Sequence, residues 1–128
     1  MSVGSDYAQR LREAGVFYKS LTKMKGRALV LTFTAPGVDI SDHDFAGEVR
    51  ALPDAGGAAL ATWSFDALFL APDTVVTAAL ADSAIDAPAA PEPGGPAQFY
   101  YDLTITPPGG VERTFMGGEI FRAGSVTA

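Results

Sequence analysis

The densest set of groups that could do chemistry is Asp39-Ile40-Ser41-Asp42-His43-Asp44, which puts three carboxylates and the chain's only histidine within six residues. Hard cations such as calcium take oxygen ligands from short loops, so this is where a cation would be gathered if anywhere. The spacing fits neither an EF-hand loop nor a zinc pattern. We read a connection between strands in which Ser41 and the aspartates bond turn amides, and assign no metal. The parts for hydrolysis are missing: there is no Gly-x-Ser-x-Gly elbow, no cysteine, and no imidazole base besides His43. Fifteen acidic residues allow many carboxylate pairings of the kind that cleave glycosides, but such abundance usually describes a solvated surface. Walker loops and dinucleotide fingerprints are also lacking, since the Gly-Gly pairs at 56, 94, 109 and 117 fall in turns or strands. The expectation is a protein that is not an enzyme and takes no cofactor.

Charge is distributed more tellingly than its total of −6 suggests. Residues 1–27 carry Arg10, Arg12, Lys19, Lys23, Lys25 and Arg27 against Asp6 and Glu13, a net of +4. The remainder carries three arginines against 13 carboxylates, a net of −10. Basic residues invite a nucleic-acid reading, yet so acidic a body repels phosphate at any approach closer than about a Debye length, ~8 Å. A basic arm that finds the acidic face of another copy is electrostatically more natural.

That arm has its own pattern. From Asp6 to about Met24, the residues Tyr7, Leu11, Ala14, Tyr18 and Leu21 recur at steps of 4, 3, 4 and 3, which lines them along one stripe of a helix. Ser5 stands as its N-cap, and Gly15 marks a place where it bends or breaks. So short a helix needs a surface to lie on. It either covers an open edge of its own sheet or docks on a neighbouring subunit. With Arg10, Arg12 and Lys19 beside the stripe, these residues form the expected partner-binding set.

The rest of the chain alternates with period 2. Strands are expected at Ala28 to Thr34, Phe45 to Ala51, Ala59 to Phe65, Thr74 to Leu80, Phe99 to Thr106 and Val111 to about Phe121. Pro36-Gly37, the cluster Pro53 to Gly57, Pro72-Asp73 and Pro107-Pro108-Gly109-Gly110 punctuate them. The last two strands make a long hairpin, with a bulge expected at Gly117-Gly118. Ala81 to Asp86 lacks alternation and fits one helical turn, and Pro88 to Pro96 loses too many donors to pair in a sheet. The inward set is Leu29, Leu31, Phe33, Phe45, Val49, Trp63, Val76, Tyr101, Leu103, Ile105 and Ile120.

Six strands in this order, with frequent turns, predict an all-β fold, a small antiparallel immunoglobulin-like sandwich at residues 28–128 preceded by the amphipathic helical arm at 1–27. A chain of 128 residues suffices for one core without staples, and without cysteine there are none. No apolar run approaches the ~20 residues of a membrane span, and charges occupy the N-terminal region where a signal peptide would be apolar. A soluble protein without a cleavable signal is expected.

Residues 28–127 resemble the immunoglobulin-like N-terminal domain of tailed-phage upper baseplate and tail-fibre proteins. The likeness runs through Leu29-Val-Leu-Thr-Phe33, then Gly37-Val-Asp-Ile-Ser41 leading to Glu48-Val-Arg50, then Pro53-Asp-Ala-Gly-Gly57. It continues through Tyr101-Asp-Leu-Thr-Ile105, a Pro-Gly turn, and a closing strand before Gly124-Ser-Val-Thr127. The Pro/Ala/Gly insertion before Phe99 departs from the pattern, and no fibre or receptor-binding region follows within the sequence. The resemblance implies a structural protein of a phage virion, in the tail or baseplate, assembled in the host cytoplasm. It would be homo-oligomeric and partnered by other virion proteins, with neither nucleic acid nor membrane as partner. An adaptor at the tail tip, baseplate or fibre attachment is the first expectation; capsid decoration and a free carbohydrate-binding module are the alternatives. Deleting residues 1–25 should then abolish assembly while the sandwich still folds.

Overall fold

The computed structural model describes residues 15–51, 59–86 and 97–123. Among them the regular structure is all strand: β1 (Phe17–Tyr18), β2 (Leu21–Met24), β3 (Leu29–Ala35), β4 (Asp44–Arg50), β5 (Ala61–Thr62), β6 (Ser64–Leu70), β7 (Asp73–Leu80), β8 (Ala97–Thr106) and β9 (Arg113–Ala123). They form two sheets. The larger runs β1-β9-β8-β4-β5, with β2 also on β9, and the smaller runs β3-β7-β6. All pairings are antiparallel except those of β1 and β2, which lie parallel to β9.

The β8–β9 hairpin is the spine of the larger sheet, and its reversal follows from local chemistry. Gly110 N–H donates to the Pro107 carbonyl at 2.8 Å, with Gly109 at a φ of +69°. Proline at the second position and a positive-φ glycine at the third are what a type II turn requires. The expected bulge is displaced. Leu103 pairs with Met116 but Thr104 with Thr114, so the extra residue is Phe115 and not Gly117 or Gly118. The bulge lets two successive residues serve the core, Met116 directly and Phe115 through ring contacts with Phe33 at 5.5 Å and Phe45 at 6.3 Å. Gly118 answers a different need: a Cβ there would run into the backbone carbonyl of Lys19, which crosses over it.

The helix expected from Asp6 to Met24 is corrected over its second half. Phe17–Tyr18 and Leu21–Met24 are strands, and in the latter Leu21 and Lys23 are buried while Thr22 and Met24 face out. The same residues satisfy a helical stripe and a strand alternation over so short a span. The 11-residue β9 offers unpaired backbone groups along its edge, and pairing with it satisfies more donors and acceptors than a lone turn of helix could. Residues 1–14, the first half of that helix, lie outside the described residues. The boundary at 27 also moves, because Phe17 to Met24 are part of the larger sheet.

Another correction concerns the strand expected from Ala59 to Phe65, which switches sheets at Trp63. Ala61–Thr62 pair with β4, Trp63 N–H donates to the Gly47 carbonyl at 3.0 Å, and Ser64–Leu70 pair with β7. Gly47 permits the corner, since a Cβ there would stand 2.9 Å from the Trp63 ring and 2.7 Å from Leu103. Ala81 to Asp86 forms two successive turns, closed by Ala84 N–H to Ala81 O and Asp86 N–H to Ser83 O, in place of one helical turn.

Between the sheets lie Val49, Trp63, Ala78, Leu80, Tyr101, Leu103, Met116 and Ile120, with Leu29, Leu31, Phe33 and Phe65 packed against them. Trp63 leans on Tyr101 at 5.7 Å. Large apolar side chains buried this way contribute ~1.5 to 3 kcal/mol each. Phe99 joins the core on the same face as Tyr101 and Leu103, and Leu21 and Ile85 join it from outside the expected inward set.

Candidate functional site

In the Asp39–Asp44 connection the Asp39 carboxylate accepts from the Ser41 hydroxyl at 2.6 Å and the Ser41 N–H at 3.0 Å. Those bonds, the hydroxyl first, hold its pKa below the ordinary carboxylate value. His43 Nδ1 meets Asp42 at 2.8 Å. Among the described residues no three such groups converge into a metal-binding set.

Of the residues expected to bind a partner, Tyr7, Arg10, Leu11, Arg12 and Ala14 lie outside the described residues. The other three are brought together along β9, where Tyr18 and Leu21 turn toward their own chain and Lys19 is held by its backbone with its side chain exposed. Tyr18 donates its hydroxyl to Glu119 and shares a bond with Ser20 at 3.2 Å. The Lys19 N–H donates to the Gly117 carbonyl at 3.0 Å, and its own carbonyl accepts from Tyr101 Oη at 2.8 Å. Leu21 is in the core, at 6 % exposure.

A latch fixes this segment. Lys23 is 1 % exposed, and its ammonium meets Asp86 Oδ1 at 3.1 Å and the Asp82 carbonyl at 2.8 Å. Asp86 Oδ2 accepts from Gly26 N–H at 2.9 Å, while Arg122 donates to the Ile85 and Asp86 carbonyls at 2.7 and 3.1 Å. Burial works to raise the Asp86 pKa, but the Lys23 ammonium and the Gly26 N–H bring it below the ordinary value. Lys23, counted by sequence among the basic residues of the arm, is therefore structural.

The larger sheet's outer face carries a shallow polar groove of about 170 Å³ lined by Ala46, Gly47, Glu48, Arg50, Asp102, Thr104 and Glu112. Glu48 and Asp102 are direct cross-strand partners, Arg50 pairs with Glu48, and Thr104 Oγ1 donates to Glu112 at 3.2 Å. Burial, followed by repulsion from Glu48, raises the Asp102 pKa. Three carboxylates against one guanidinium suit hydroxyl or cationic groups. Sequence reasoning missed this cluster because only the β4–β8 register brings Glu48 and Asp102 together.

The smaller sheet presents the opposite surface. Its outward rows, read from the register, are Val30-Ala79-Ser64, Thr32-Thr77-Asp66 and Thr34-Val75-Leu68, followed by Asp73 and Leu70. Val30 and Leu68 are each 55 % exposed and Leu70 is 56 % exposed. Among the described residues both outer strands, β3 and β6, end the sheet without a further partner strand. Neither contains lysine, arginine or proline, the residues that commonly blunt such edges.

No protein-family model matches the chain, and no curated protein matches it. Fold and surface together define an all-β, two-sheet domain whose smaller sheet exposes Val30, Leu68 and Leu70 among threonine, serine and aspartate side chains.

Proposed function

We propose that this domain is a non-enzymatic assembly module, and specifically an immunoglobulin-like adaptor of a phage virion at the tail tip, baseplate or fibre attachment. The observation that carries the reading is the smaller sheet: an outward face with Val30, Leu68 and Leu70 more than half exposed, flanked by two strands that have no further partner strand among the described residues. Exposed aliphatic side chains beside strand edges that carry no lysine, arginine or proline favour a covering partner. The two-sheet body agrees with the fold that the phage resemblance implies. Tyr18 and Leu21 are engaged within the chain, so the tether's expected contacts reduce to Tyr7, Arg10, Leu11, Arg12, Ala14 and the exposed Lys19 side chain, and residues 1–14 by themselves carry two arginines against two carboxylates. Capsid decoration is the variant reading that the same surface serves.

A carbohydrate-binding module would need a row of aromatic rings along one sheet face. The outward rows of the smaller sheet hold no aromatic ring, their exposed residues being Val30, Leu68 and Leu70 among Thr32, Thr34, Ser64 and Asp66, and the exposed rings of Phe17 and Phe69 belong to different sheets. Mass spectrometry of purified particles tests the assembly reading. Stoichiometric recovery of the chain in tail or baseplate fractions is expected. Recovery only from the soluble host fraction, together with retention on a polysaccharide column, would overturn it.

A further inference from the structure

We infer that the end of the sandwich where β4 and β9 begin is the seat of the chain's own residues 1–14, which close its core there as a lid. The core is better closed at one end than at the other. Toward the end of β7 and of β9, Leu80 and Ile120 are fully buried, Leu21 and Phe99 flank Ile120 in the sheet, and Ile85 is buried in the turns that follow β7. At the opposite end Phe33, Phe45, Ile105 and Phe115, one from each of four strands, are only half-buried. The register puts them there: Asp44 pairs with Thr106, Ile105 with Arg113 and Ala35 with Thr74. Phe115 touches Phe33 and Phe45 through ring contacts at 5.5 and 6.3 Å, so rings from both sheets share one incompletely covered cluster. Val38 and Val111, exposed in the connections that bound this end, extend its apolar surface.

The occupant follows from where the chain enters. β1 runs parallel to β9 with Phe17 opposite Met116, so Gly15 and the residues before it arrive where β9 begins, beside Phe115. Residues 1–14 span about 21 Å even at the helical rise of ~1.5 Å each, more than an end of roughly two strand spacings by one sheet separation, ~10 by ~10 Å. Tyr7, Leu11 and Ala14 bring apolar side chains to the rings, and covering that surface drives the contact. Charge orients it. The segment sets Arg10 and Arg12 against Asp6 and Glu13, whereas the exposed charges around the open end are Asp39, Asp42, Asp44 and Glu112 against Arg113. A segment already tied beside its seat loses less freedom on docking than a separate molecule does, and its effective concentration there is near ~1 mM. The inference goes beyond the assembly reading; within that reading, the arm must leave its own core before it reaches a neighbour.

The chain contains no cysteine, so Ala8→Cys carries a single nitroxide label, and NMR of the full isotope-enriched chain in dilute solution reads what lies near it. Amide signals of Val38, Phe45 and Val111 should lose most of their intensity and regain it when the label is reduced, while those of Ala81, Ile85 and Ala123 should keep theirs. Adding Leu11→Asp should restore most of the lost intensity, and Val38→Ser part of it, with the rest of the spectrum unchanged because the sandwich stays folded. Full intensity at the open end of the labelled chain overturns the inference. So does broadening that Leu11→Asp leaves intact, which is what a loose tether sweeping past its anchor gives. Equal broadening of enriched, unlabelled chains by separate labelled ones also overturns it, since the segment then sits on another copy. Particle proteomics bears on the assembly reading alone, so either idea can fail without the other.

Discussion

Replacing Asp86 with alanine isolates the interaction that ties the N-terminal strands to the body. Lys23 has a side chain without solvent exposure and Asp86 retains 19 % of its own. Removing the carboxylate leaves the ammonium with the Asp82 carbonyl at 2.8 Å and the Met24 carbonyl at 3.4 Å, but with no counter-charge from Asp86. Breaking a buried pair from one side costs about 3 to 5 kcal/mol, and partial exposure of Asp86 places this case near ~3 kcal/mol. Unfolding entropy of about 2.1 cal/mol/K per residue over 128 residues gives roughly 0.27 kcal/mol/K. Asp86→Ala should therefore melt about 11 °C below wild type. Lys23→Met, which removes the charge and keeps the packing, should melt within a few degrees of wild type or above it, and Lys23→Met/Asp86→Ala should recover most of the loss. Thermal denaturation by circular dichroism at pH 7 provides all four values. An Asp86→Ala variant that melts with wild type would refute the argument, because it would mean that the ammonium reaches water and needs no partner.

The remaining expectations address other parts of the molecule. Asp102 binds its proton more tightly when folded, so its ionisation opposes folding above the ordinary value of 3.8 and that penalty fades as pH falls through its raised pKa. Asp102→Asn should raise the melting temperature at pH 7, with the gain shrinking toward pH ~4. Asp86 has the opposite sign: its stabilisation is complete above the unfolded value of 3.8 and is lost as pH falls toward its lowered folded pKa, so wild type should destabilise in that acid range more steeply than Asp86→Ala. Gly118→Ala should cost ~1 to 3 kcal/mol by pushing Lys19 off β9, and Leu103→Ala, at a position of 0 % exposure, ~2 to 5 kcal/mol by opening a cavity; both are measurable as denaturant midpoints. Deleting residues 1–14 should abolish incorporation into particles, whereas deleting 1–25 should also unfold the domain, because it removes Leu21 and Lys23 from the interior.

The strands of the body were legible because their side chains alternate. Leu29, Leu31 and Phe33 point inward from β3, Val49 from β4, Val76 from β7 and Tyr101 and Leu103 from β8, as their spacing indicated. The turn at Pro107 to Gly110 was legible for an equally local reason. Where reading failed, a distant partner made the decision. Leu21 and Lys23 became a strand because β9 had an unpaired edge, the Phe115 bulge arose from the need to place Phe115 and Met116 on one side, and Trp63 turned the chain because Gly47 left room beneath it. Alternation over two to four residues cannot be told from a helical stripe, so no inspection of 17–24 alone would have resolved them.

Local chemistry within the chain was enough to determine an all-β body, the positions of its turns and the inward face of most strands, because pleat, proline and glycine act over a few neighbouring residues. Which strands pair, and hence that Glu48 faces Asp102, that Lys23 reaches Asp86, and that the smaller sheet presents Val30, Leu68 and Leu70 to solvent, was decided by tertiary structure alone. These contacts join residues up to 63 positions apart. Their energies depend on burial and register, which exist only once the two sheets have closed on each other.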